Sequence, residues 1–92
     1  MATENDYENL KEVMEFPAAM TFKVAGVNRE GLAQDIVAVI QKYLPGDYIP
    51  KEKPSSKGTY NSVSIDIVAQ NFEQVETLYQ QLAKVEGVKM VI

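Results

Sequence analysis

Apolar and polar positions alternate in some stretches of the chain and recur at helical spacing in others. From Ala18 to Ala25, Met20, Phe22 and Val24 fall on one side and Ala19, Thr21, Lys23 and Ala25 on the other. Successive strand side chains point to opposite faces, so this is a half-buried strand that Gly26 and Val27 leave. Asn28 is the expected N-cap of a helix whose apolar face is Leu32, Ile36, Val39, Ile40 and Tyr43. Pro45-Gly46 stops that helix. Tyr48 to Pro54 reads as extended, and Pro50 and Pro54 confine it to a sheet edge because proline has no N–H to donate. Ser55-Ser56-Lys57-Gly58 is a turn. The clearest strand follows, with Val63, Ile65, Ile67 and Ala69 on one face and Ser62, Ser64, Asp66 and Gln70 on the other. Asn71 with Gln74 makes a capping-box-like start to a second helix with the stripe Val75, Leu78, Tyr79, Leu82 and Val85. Gly87 ends it, and Val88, Met90 and Ile92 mark a last short strand. Ahead of all this, Tyr7, Leu10, Val13 and Met14 stand at helical spacing among acids. They predict a short amphipathic helix within 1–15, closed by Phe16-Pro17.

Residues 16–92 therefore run strand, helix, strand, strand, helix, strand. Right-handed crossovers and two helices sharing one sheet face lead to a ferredoxin-like two-layer α+β sandwich. The expected pattern is βαββαβ with an antiparallel sheet in the order 4-1-3-2. The aliphatic alternating strands take the two central places and the proline-bearing strand takes an edge.

Composition narrows the function. The 92 residues, 46% hydrophobic and 24% charged, suit one small domain. There is no cysteine and no histidine, which removes thiol nucleophiles, thiolate clusters, the commonest general base and the commonest zinc ligand. No catalytic residue, metal or cofactor is expected. The net charge of −4 resides in residues 1–15, where Glu4, Asp6, Glu8, Glu12 and Glu15 face only Lys11. The remainder is neutral, which argues against a general nucleic-acid binder. No apolar run is long enough for a membrane span and no signal-peptide pattern is present, so the expected place is the cytoplasm.

Three surfaces are candidates for recognition. The uncovered sheet face should carry small polar residues, with Lys23 and Asp66 as a candidate pair across the strands. It lacks the aromatic pair on which RNA-binding versions of this architecture stack bases. The loop from Lys51 to Tyr60 gathers Lys53, Ser55, Ser56, Lys57, Gly58 and Tyr60, a composition suited to an anion nest or to a plain hairpin connection. It is not a Walker loop. The junction Gly26 to Leu32 resembles the turn of ACT domains that opens the first helix beside a bound amino acid. By that resemblance Asn28 and Gly31 would contact a ligand, while Glu30 replaces the usual proline.

Glu15-Phe16-Pro17, Pro45-Gly46-Asp47-Tyr48, Lys53-Pro54-Ser55-Ser56-Lys57-Gly58 with Tyr60, Ser62-Val63-Ser64-Ile65, and Gln74-Val75-Glu76-Thr77-Leu78-Tyr79 resemble the YbeD family of short bacterial proteins. The likeness runs from about Leu10 to Ile92 and leaves out the acidic lead at 1–9. It implies a cytosolic protein with an ACT-like ferredoxin fold and no established activity, sometimes labelled lipoate-regulatory. The expected function is a non-enzymatic regulatory or adaptor module that binds a small anionic metabolite or a protein partner. The alternative is a purely structural homodimeric interaction protein without a ligand, joined through the edge strands or the open sheet face.

Overall fold

A computed structural model describes residues 15–92. The helix expected within 1–15 falls, apart from Glu15, outside the described residues. The elements are β1 (Ala18–Val27), α1 (Leu32–Tyr43), β2 (Lys51–Pro54), β3 (Tyr60–Ala69), α2 (Phe72–Leu82) and β4 (Val88–Val91). The four strands form one antiparallel sheet in the order β2-β3-β1-β4, the expected order read from its other edge.

Alternation decides which face is covered. Phe22 and Val24 of β1 and Val63, Ile65, Ile67 and Ala69 of β3 are buried together with Leu32, Ile36 and Ile40 of α1 and Leu78 and Leu82 of α2. Both helices therefore lie on one side of the sheet, and among the described residues no element covers the other side. β1 and β3 pair along their whole length, from Ala18 opposite Ala69 to Val27 opposite Tyr60. The four-residue edge strands cover only part of that length.

Four local readings need correction. Gly26 and Val27 remain in β1, opposite Asn61 and Tyr60. Gly31, in the left-handed region at φ 85°, is the N-cap of α1, and no side chain caps it. α2 ends at Leu82, so Val85 lies in the following turn, and Tyr79 is 48% exposed rather than part of the buried stripe. In β4 the buried side chain is Val91. A register shift against β1 between Ala25 and Gly26 leaves Met90 and Ile92 exposed. The cap of α2 is as expected: Asn71 Oδ1 accepts from Gln74 N at 2.9 Å, while Gln74 Oε1 accepts from Gln70 N at 2.7 Å.

Between α1 and β2, Tyr48 packs against the core and its hydroxyl donates to the Leu44 carbonyl at 2.7 Å. Burial raises its pKa above the ordinary phenol value. Tyrosines of the unfolded chain ionise near pH 10 while Tyr48 in the folded chain keeps its proton, so the folded state binds more protons there. Its contribution is whole below about pH 10 and is lost as pH rises through the folded value. Phenolate absorbance should show one late-titrating tyrosine that Tyr48→Phe removes. That variant should lose less stability than the parent between about pH 9 and 11.

Candidate functional site

The candidate residues gather where β1 hands over to α1. Val27 N donates to Gly87 O at 2.8 Å and Arg29 N to Val27 O at 2.8 Å, which turns the chain sharply out of the sheet. Asn28 then reaches across to the β2–β3 hairpin: its backbone N donates to Thr59 O at 3.0 Å and its Nδ2 to Gly58 O at 3.0 Å. The expected helix cap is instead a clasp between two loops, because the partners of Asn28 lie about thirty positions along the chain. Gly31 supplies the left-handed turn into α1, and the nearest atom to a Cβ there would be Arg29 Nη1 at 3.6 Å.

The hairpin turn is closed by Ser55. Its N donates to Tyr60 O at 2.8 Å, its carbonyl accepts from Gly58 N at 2.9 Å, and its Oγ accepts from Tyr60 N at 3.1 Å. Three N–H groups of the expected nest are thus spent on the turn itself, and Ser56, Lys57 and Thr59 remain outside that set. Gly58 sits at φ 74° with open space where a Cβ would be. Ser56 and Lys57 are exposed on the turn. Lys53 stands opposite Ser62 and so belongs to the open sheet face. The structure therefore joins Asn28 to the turn that carries Ser55, Ser56, Lys57, Gly58 and Tyr60, with Lys53 on the adjoining strand, while Gly31 stands at the start of α1, outside that contact.

Two residues outside the expected set shape this end. Arg29 Nε and Nη2 donate to Glu86 O at 3.0 and 2.9 Å, and Nη1 donates to Glu30 O at 3.1 Å. Nη2 also pairs with Asp35 Oδ2 at 2.8 Å. The arginine thereby ties the start of α1 to the turn before β4, a positioning role that the sequence reading did not assign. Asn61, 3% exposed, donates from Nδ2 to Glu52 Oε1 at 2.9 Å, and its Oδ1 has no partner among the described residues.

On the open face, Thr21 Oγ1 donates to Asp66 Oδ1 at 2.5 Å, while Lys23 stands opposite Ser64. The cross-strand contact of Asp66 is thus a hydroxyl rather than the expected lysine. A cavity of about 700 Å³ lies beside the loop Leu44 to Tyr48, against Ala19, Thr21, Asp66 and Val68 of the open face, and neither the Gly26–Leu32 turn nor the Lys51–Tyr60 loop lines it. Among the described residues no group of three or more acidic side chains converges as a metal site. No helix among them is long and apolar enough to cross a membrane.

The class this architecture defines is the ACT-like ferredoxin fold. The ACT domain of the GTP pyrophosphokinase of Chlorobium tepidum superposes with a TM-score of 0.60 at 24% identity, over 80% of this chain and 94% of that one. Protein HP0495 of H. pylori superposes at 0.75 with 11% identity, over 87% and 86%. Residues 11–92 match the family described as protein of unknown function DUF493, and the chain belongs to that family. A UPF0250 protein of Haemophilus influenzae Rd is 79% identical over the full length of both chains. That of Pasteurella multocida is 61% identical over 90% of this chain and 94% of the relative. The family resemblance seen in the residues is upheld, and the Haemophilus relative extends the likeness through residues 1–9.

Proposed function

We propose that the protein is a non-enzymatic regulatory or adaptor module. It recognises a carboxylate or phosphate, carried by a small metabolite or by a partner protein, at the end of the sheet where Asn28 clasps the Ser55–Tyr60 turn. The observation that carries this reading is the pair of hydrogen bonds from Asn28 to Thr59 and Gly58. They bring two separately suspected loops into one surface with Lys57 exposed at its rim. The absence of cysteine and histidine from the whole sequence supports binding over bond-making. The fold it shares with the ACT domain of a GTP pyrophosphokinase is compatible with that role.

Thermal shift against amino acids, nucleotides, lipoate-like acids and short acidic peptides tests it. A ligand at a hundred times its dissociation constant adds roughly 2.7 kcal/mol, which raises the midpoint of so small a domain by about 10 °C or more. Asn28→Ala, which removes the Gly58 bond and leaves the backbone bond to Thr59, should cost about 1 kcal/mol of stability. In the same variant, and in Lys57→Ala, the ligand-induced shift should shrink. A ligand whose shift survives both substitutions binds elsewhere and overturns this site.

A further inference from the structure

The sheet face turned away from the helices gathers lysines that have no counter-charge. Register places Lys51, Ser64 and Lys23 side by side across β2, β3 and β1, and Lys53, Ser62 and Ala25 in the next row. Met90 of β4 stands beside Ala25, and Val27 follows two residues along β1. All of these share one face, because the alternate residues Phe22, Val24, Val63 and Ile65 are buried on the other. Lys23, Lys51, Lys53 and Met90 are exposed. None of the three lysines pairs with a carboxylate among the described residues. The acids of the adjoining positions are engaged otherwise: Asp66 accepts from Thr21, and Glu52 accepts from Asn61 on the helix side. Such a cluster repels itself in the free protein, and an anionic partner relieves it.

We propose that this face docks an acidic amphipathic helix of a partner protein. Carboxylates on one flank of that helix meet Lys51, Lys53 and Lys23, and its apolar stripe rests on Ala25, Val27 and Met90. Charge complementarity selects the sign: a chain of net charge −4 presents three lysines and no acid in these two rows. Spacing agrees. Lys51 and Lys53 stand about 7 Å apart along their strand, and Lys23 lies two strands from Lys51, about 10 Å across. Residues four apart on a helix rise about 6 Å, so two carboxylates one turn apart reach both lysines of β2. The small side chains of Ala25, Ser62 and Ser64 between the lysines let a helix approach closely. Backbone chemistry selects a helix over an extended peptide. In these rows β1 and β3 each have a strand on both sides, so no bare edge is offered and the partner must satisfy its own peptide groups. The face lies apart from the clasp of Asn28 on the Gly58 and Thr59 carbonyls and does not depend on it.

The probe is a dye-labelled synthetic helix of leucine, alanine and glutamate, with the glutamates four residues apart along one flank. Two controls of equal length carry glutamine or lysine at those places. By fluorescence anisotropy the full chain should bind the glutamate helix at least about tenfold more tightly than the glutamine helix, and the margin should shrink as salt is added. Lys51→Glu with Lys53→Glu should weaken the glutamate helix by about tenfold and turn the preference to the lysine helix. Should that variant fail to fold, Lys51→Gln with Lys53→Gln should give a several-fold loss without the reversal. Lys57→Ala, on the neighbouring turn, should leave the affinity within about twofold, which keeps this face distinct from the turn. Backbone amide shifts should centre on Lys23, Ala25, Ser62 and Ser64. Equal binding of the glutamate and glutamine helices overturns the proposal. A loss in Lys57→Ala as large as in the β2 pair also overturns it, and moves the acidic partner to the turn. A single-stranded oligonucleotide of equal charge that binds more tightly than the glutamate helix overturns it as well, and assigns the face to a phosphate backbone.

Discussion

Asn61→Asp is expected to lose about 3–5 kcal/mol at neutral pH, a large share of the stability of a domain this size. The side chain is 3% exposed, and its amide donates to Glu52 Oε1 at 2.9 Å. Its strand neighbours are Gly26 and Pro54, neither of which offers a polar side chain. A carboxylate there would replace a donor by a second negative charge against Glu52, away from water. Burial and the like charge both raise its folded pKa above the unfolded value of about 3.9. The penalty is therefore absent where both states are protonated, grows as pH rises above about 4, and levels off above the folded pKa. Urea unfolding of parent and variant near pH 3.5 and near pH 7 measures this, the gap being small at the lower value. An equal gap at both would mean that shape rather than charge decides the position. Asn61→Leu, which removes the unpartnered Oδ1 and leaves Glu52 exposed to water, should be close to neutral.

Asn61 also shows where reading along a chain stops being informative. The strands Met20–Val24 and Val63–Ala69 were legible because one face is covered and one open, which forces an alternation that survives any neighbour. The covered helix faces were legible for the same reason. Asn61 continues the inward phase of β3 with a polar residue, and periodicity gives no reason to count such a residue as core. Its burial depends on what stands opposite it in both neighbouring strands. Asn28 failed as a cap in a similar way. Local rules favour its side chain bonding to the first helical turn, but the carbonyls of Gly58 and Thr59 arrive from the neighbouring hairpin and take both donors. The candidate turn and the candidate loop were each visible as segments. That they form one surface follows from the register that sets Val27 opposite Tyr60, a long-range fact. In β4, the shift between Ala25 and Gly26 breaks the two-residue period on which a short strand is recognised, so Val91 rather than Met90 is buried.

Beside that same shift, Gly26 has no room for a side chain. A Cβ on Gly26 would lie 2.7 Å from Gly87 O and 3.1 Å from Val88 Cα, both main-chain atoms that no rotamer can move aside. The Gly87 carbonyl is held in place by Val27 N at 2.8 Å, and the adjacent Glu86 carbonyl by two bonds from Arg29. Relief therefore requires β1 and β4 to part. Gly26→Ala should cost about 2–3 kcal/mol, at the upper end of overpacking penalties, and lower the thermal midpoint by about 10–20 °C. Gly58→Ala separates this steric effect from backbone conformation. Its φ of 74° disfavours a side chain, yet nothing lies within 4 Å of the added carbon, so the loss should stay near 1–2 kcal/mol. Hydrogen exchange gives the local signature. The Val27 amide, which bonds to Gly87, should exchange faster in Gly26→Ala than any global loss explains, while in Gly58→Ala it should follow global stability. Comparable losses in the two variants, with no local acceleration at Val27, would mean that β4 yields without cost. The clamp from Arg29 to Glu86 would then not hold the start of α1 as tightly as its bond lengths indicate.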